Sequence, residues 1–280
     1  PADKQRKIVL DFGAASATPL VVQDTSVGET GSGRGIRIGN DNIPGQLTVI
    51  GVIHLGQRPI LSGGDLTRIF FVYEPLNAAE LTLKHLELRN GYAQDKNLRG
   101  GGSIYAAVGA KLWLYNLIFA SNVMYGNGYG GGAVSLNGAA DAVIERCVFE
   151  NNTAFQGGAL FQYNFNTAVI TDSNFTENVA TDHGGALTVR GDTSSLFCTR
   201  CIFNGNSATG SGVGGGLYAV FATVVLTDST FSKNIAARSG AAAYLHGPLK
   251  FAVVNSVSSE GRIDGYQNPE RWFGIVNWEK

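Results

Sequence analysis

Two short patterns alternate along the middle of this chain, and together they restrict its fold more than any other feature. The first is a Phe followed three residues later by an Asn: Phe119/Asn122, Phe149/Asn152, Phe175/Asn178, Phe203/Asn206 and Phe231/Asn234. The second is a Gly pair followed by small and apolar residues: Gly131-Gly132-Ala133-Val134, Gly157-Gly158-Ala159-Leu160, Gly184-Gly185-Ala186-Leu187 and Gly214-Gly215-Gly216-Leu217. Weaker copies lie at Gly100-Gly101-Gly102 and Ser239-Gly240-Ala241. The Phe-to-Phe steps are 30, 26, 28 and 28 residues. A period in this range signals identical supersecondary units stacked on one another.

Each unit reads as strand, turn, strand. Leu112, Leu114, Leu117 and Phe119, or Val224, Leu226, Ser229 and Phe231, fall at the spacing of a half-buried strand, and no helical pattern of ten residues occurs. Units of one order and nearly one length stack in parallel. The five Phe then form one internal column and the five Asn another, with each amide reaching the coils above and below. Ala154, Ala180, Ala208 and Ala236 add a small-residue column. The glycines open the next strand, where a positive φ or a close backbone approach is needed. The expectation is an all-β, right-handed parallel β-helix of about eight coils. Residues 1–45 are expected to form an N-terminal cap, 46–258 the coils and 259–280 a C-terminal cap, with Trp272, Phe273, Ile275 and Trp278 plugging the last coil.

Composition agrees and narrows the partners. The 38 glycines with only 7 prolines are not collagen-like, the 44% hydrophobic content fills a core, and the 15% charged content is low. A net charge of −1 gives no general attraction to nucleic acid or an anionic membrane. No apolar run approaches the ~20 residues needed to cross a bilayer. The start at Pro1-Ala2-Asp3, with no signal peptide, reads as a mature or trimmed product.

The Gly-Gly-Ala-(Leu/Val) and Phe-x-x-Asn pair over residues 100–240 resembles the repeats of the chlamydial polymorphic outer-membrane proteins, β-helical autotransporter adhesins. The chain departs from them in its few repeats, its generic first 90 residues and the lack of a following barrel sequence. The resemblance implies a non-catalytic, surface-binding passenger. The same fold is shared by pectate and alginate lyases and by uronate epimerases, and fold alone does not choose among these.

Strand alternation assigns the outward positions. With Leu187 and Val189 inward, Thr188 and Arg190 face out; so do Phe161 and Tyr163 one coil earlier, and Tyr218 and Val220 one coil later. Ser135 and Asn137 precede them, and Tyr244 and His246 follow. The resulting stripe is Asn137, Tyr163, His183, Arg190, Tyr218, Tyr244 and His246. Aromatic faces stack on pyranose rings, and a guanidinium pairs with a carboxylate. For a uronate polymer the matching reaction is β-elimination. Arg190 neutralises the carboxylate, His183 and Tyr163 serve as base and acid in either assignment, and Asn137, Tyr218, Tyr244 and His246 bind neighbouring sugars. Exposed Tyr and Arg are also common on β surfaces simply as cross-strand partners.

Other constellations read as structural. Arg146, Asp172, Arg200 and Asp228, three residues before each Phe, suggest a salt-bridge ladder on the strand surface. The scattered acids offer no calcium cluster, and no metal or cofactor is expected. Cys198-Thr199-Arg200-Cys201 lies in a strand rather than at a helix start, so core filling is expected, with a Cys198–Cys201 bridge open. Cys147 shares the column of Cys201. Thr171, Thr199 and Thr227 form a flat hydroxyl array beside charged neighbours, which argues against ice binding.

The leading expectation is therefore a secreted or cell-surface, monomeric lyase acting on an acidic polysaccharide, alginate first and pectate second. Brown-algal-type alginate lyases are similar in size and substrate logic. A non-catalytic adhesin and a uronate C5-epimerase are the alternatives. Neither nucleic-acid binding nor membrane insertion is expected.

Overall fold

The computed structural model describes residues 6–10, 20–21, 35–38, 45–73, 79–94, 100–247, 250–254, 256–258, 263–265, 272–273 and 276–278. Every described element is a strand, and the strands form four parallel sheets of ten, ten, six and nine. One turn illustrates the order. Thr167–Thr171 belongs to the long sheet, Asn174–Thr176 to the phenylalanine sheet, Val179–Ala180 to the short sheet and Leu187–Arg190 to the tyrosine sheet. Each pairs with its counterpart one turn on, so Phe175 opposes Phe203 and Arg190 opposes Val220. Among the described residues, six turns carry all four strands, three carry three and the last carries two. The expected eight coils are corrected accordingly: the described residues of the terminal turns extend the other sheets without a short-sheet strand, which the repeat spacing alone did not reveal.

The described parts of residues 1–45 include strands Arg6–Leu10, Leu20–Val21 and Ile36–Ile38, which continue three of the sheets. Strands Trp272–Phe273 and Val276–Trp278 extend the other end, and Ile275 lies outside the described residues.

The repeat motifs become internal columns. Phe119, Phe149, Phe175, Phe203 and Phe231 stack with centroids 4.6, 4.8, 5.0 and 4.5 Å apart and planes within 7°. The separations fall at the short end of the range that stacked aromatic pairs favour, where each pair contributes about 0.5–1.5 kcal/mol beyond burial. Burying each Phe contributes about 1.5–3 kcal/mol more. The Asn side chains form a buried ladder. Asn152 donates Nδ2 to Phe119 O (3.0 Å) and to Asn178 Oδ1 (2.9 Å), and its backbone N–H also bonds Asn178 Oδ1 (3.1 Å). Asn122, Asn178 and Asn206 repeat the scheme. Position 91, one turn before Asn122, is a glycine whose N–H caps the ladder on Asn122 Oδ1.

Both roles expected of the glycines occur. Gly157 has φ 65°, and a Cβ on Gly158 would lie 2.2 Å from the carbonyl oxygen of Gly185 in the next turn.

The salt-bridge ladder is corrected. Arg146, Asp172, Arg200 and Asp228 sit with φ of 54°, 51°, 52° and 48° at the corner between the long and phenylalanine sheets, not within a strand. Side chains fan outward there, and the column closes one ion pair, Arg200 Nη2 to Asp172 Oδ2 at 2.9 Å, while Arg146 turns to Glu145 at 2.7 Å. The three cysteines are buried free thiols. The backbone N–H groups of Cys147 and Cys201 donate to the hydroxyl oxygens of Ser173 and Ser229 in the same column, both at 3.1 Å.

Candidate functional site on the tyrosine sheet

The outward side of the tyrosine sheet carries two columns. One runs Phe71, Tyr105, Ser135, Phe161, Thr188, Tyr218, Tyr244; the other runs Tyr73, Ala107, Asn137, Tyr163, Arg190, Val220, His246. Tyr163 and Arg190 are therefore cross-strand partners, 27 residues apart in the chain. Tyr218 and Tyr244 lie one and two rungs beyond Arg190 in the neighbouring column, with rings 6.0 Å apart.

Outward does not mean exposed. Phe161 and Thr188 lie outside the core yet are 1% and 0% exposed. Segments entering the tyrosine sheet from the short sheet fold over this face. Tyr129 stacks on Phe161 at 6.0 Å and on Tyr163 at 6.4 Å, and Thr188 Oγ1 donates to the His183 carbonyl at 3.0 Å. Strand alternation gave the direction of these side chains, but not the overlying segments.

Arg190 is held on two sides. Its guanidinium lies 4.9 Å from the Tyr129 ring centroid, and Nη1 donates to Gln156 Oε1 at 3.0 Å. Gln156 Nε2 in turn donates to Asp182 Oδ2 at 2.8 Å. Because Asp182 fixes the amide, the Gln156 oxygen must face Arg190. The other carboxylate oxygen of Asp182 lies 3.4 Å from His183 Nδ1. The His183 ring also packs against Tyr218, tilted by 38° with centroids 4.5 Å apart.

The Val213 N–H donates to His183 Nδ1 at 3.3 Å. In the neutral imidazole this places the proton on Nε2, so His183 presents a donor to the face rather than a lone pair. Burial first, and then the charges of Arg190 and Arg238, hold its pKa below the ordinary value, against the opposing pull of Asp182. Burial likewise raises the Tyr218 hydroxyl.

The remaining stripe residues are less connected. Asn137 lies one rung before Tyr163 in the same column. His246 is separated from Arg190 by Val220 and meets Phe221 edge-on at 5.7 Å. Sequence reasoning missed Tyr129, Gln156 and Asp182. A signal existed for Gln156, which like His183 immediately precedes a Gly pair. No group of three or more His, Cys, Asp or Glu converges among the described residues.

The family described as a right handed beta helix region matches residues 76–257. Over 122 residues the chain is 34% identical to the probable autotransporter YfaL of Escherichia coli (strain K12), a stretch that covers 39% of this chain and 10% of that protein. The chain thus spans about a tenth of the length of this curated relative. No solved structure matches. With the match extending over more than half of its length, the chain belongs to the right-handed β-helix family.

Proposed function

We propose that this β-helix is secreted or displayed at a cell surface and binds an acidic polysaccharide along the tyrosine sheet. The observation that carries this reading is the fixed Arg190 guanidinium, held between Tyr129 and Gln156 one rung from Tyr163. Aromatic faces supply stacking for successive sugars, and the guanidinium edge left over supplies carboxylate recognition. The similarity to a probable autotransporter supports the cell-surface location, and it agrees with the adhesin-like character of the repeats.

A second reading, a uronate lyase, draws on the position of Arg190, His183 and Tyr163 on one face. Arg190 pairs with the carboxylate, and His183 and Tyr163 serve as base and acid in either assignment: the base, in its deprotonated form, takes the C5 proton, and the acid, in its protonated form, protonates O4 as the C4–O4 bond breaks and a C4–C5 double bond forms.

One experiment separates these. Alginate, polymannuronate, polyguluronate, polygalacturonate and a neutral glucan are titrated into the protein while ultraviolet absorbance follows any unsaturated product. The expected result is binding to uronate polymers but not to the neutral glucan, with about 10–100-fold weaker binding in Arg190→Ala and no absorbance rise. A rise in absorbance would establish the lyase, and isomerised uronate by NMR the epimerase. Absence of binding to every uronate polymer would overturn the proposal.

A further inference from the structure

A separate cluster of polar groups lies at the opposite edge of the long sheet, where it bends into the phenylalanine sheet. In most turns this bend takes two residues. After strand Gln46–Gly51, the chain instead makes an excursion through residues 52–59, closed by mutual backbone bonds between His54 and Gln57. Its last cation, Arg58, reaches two turns along the solenoid to Asn116, bonding the Asn116 carbonyl and, from Nη2, Asn116 Oδ1 at 2.7 Å. Asn116 Nδ2 must then donate, and it does so to His85 Nδ1 at 2.9 Å. The neutral His85 ring consequently carries its proton on Nε2.

Lys84 precedes this ring in the same turn, and Arg146 lies two turns on in the same corner column. Lys84 Nζ sits 5.1 Å from the Tyr115 ring centroid and has no ion pair among the described residues. Arg146 shares one amino group with Glu145. Burial, and then the charges of Arg58, Lys84 and Arg146, lower the His85 pKa, while the carboxylates beside Arg146 are both paired, Glu145 with Arg146 itself and Asp172 with Arg200. The corner is thus a local excess of positive charge around an immobilised N–H donor.

We propose that this corner is an oxyanion site for a sulfate or phosphate ester, formed by Lys84, His85 and Arg146 and braced by Arg58 through Asn116. The planar fork of Arg58 is spent on Asn116 and that of Arg146 is engaged by Glu145, so neither offers an open fork to a bidentate carboxylate. What is left are separate donors along one corner, Lys84 and His85 from one turn and Arg146 from two turns on, an arrangement that suits a multiply charged tetrahedral group. The site is independent of the tyrosine sheet and of any glycan bound there.

The test is a histidine-ring NMR titration of the full chain with inorganic sulfate and inorganic phosphate, against chloride and acetate at matched ionic strength. Sulfate or phosphate is expected to shift the His85 resonances, leave those of His183 in place and move the His85 pKa up towards its ordinary value. Lys84→Ala and Arg146→Ala are each expected to weaken this at least five-fold with an unchanged β-sheet circular dichroism spectrum. Glucose 6-sulfate and glucose 6-phosphate then identify which ester is preferred, and binding of either supports the site. Shifts no larger than those from chloride, equal binding of acetate, or indifference to Lys84→Ala would overturn it.

Discussion

His183 shows how the fold sets the chemistry of a single residue. Its Nδ1 accepts from Val213, its ring packs on Tyr218, and burial disfavours the imidazolium. His85 is shifted the same way by burial and by its neighbouring cations. With both native pKa values below the ordinary 6.5, the unfolded chain binds more protons over that interval. Stability therefore falls as the pH drops through about 6.5 towards the lowered native values. Thermal melts of the wild type and of His183→Asn between pH 7.5 and 5 test this. The wild type is expected to lose more melting temperature on acidification than the variant, and equal slopes would remove His183 from the account. At this scale the sequence was informative in part. Arg190 and Tyr163 could be placed because period-two alternation fixes direction. Tyr129, Gln156 and Asp182 could not, because they come from connecting segments whose course no periodicity dictates.

At the scale of the element, the asparagine ladder and the phenylalanine stack define the turn. Both were legible from spacing, because parallel in-register stacking converts a sequence period into a column. The corner residues were not. Arg146, Asp172, Arg200 and Asp228 have the charge alternation of a strand ladder, yet a left-handed backbone conformation turns the chain there. Charge pattern alone does not report φ. The ladder yields a quantitative prediction. Asn178→Ala leaves the Asn152 N–H and the Phe149 carbonyl without partners in a buried site. Each such group costs about 1–3 kcal/mol, so a loss of about 2–6 kcal/mol is expected in urea denaturation. Thr199→Ala, on the solvent side of the long sheet, is expected to change stability by less than about 0.5 kcal/mol. Similar losses in the two variants would mean that the ladder is not what holds the turn.

For the whole molecule, stability is expected to be close to a sum of turns and their interfaces. Excising Ser173 through Arg200 joins Asp172 to Cys201, brings Phe149 against Phe203 and Asn152 against Asn206, and keeps both columns in register. The shortened chain is expected to retain its β-sheet spectrum and melt cooperatively at a lower temperature, while losing uronate binding along with Arg190. An unfolded product would show that the turns are not interchangeable units. The number of turns was less legible than their nature, since the described residues of the terminal turns carry no short-sheet strand and the repeat motifs fade there.

In the proposed site, side chains 27 residues apart bind together because stacking makes them neighbours on one face. A double-mutant cycle measures that directly. Oligouronate affinity is determined by calorimetry for the wild type, Tyr163→Ala, Arg190→Ala and the double variant. Both single variants are predicted to bind more weakly, and the double variant to lose less than the sum of the two. Undiminished affinity in either single variant, or strictly additive losses, would contradict a shared site on the tyrosine sheet.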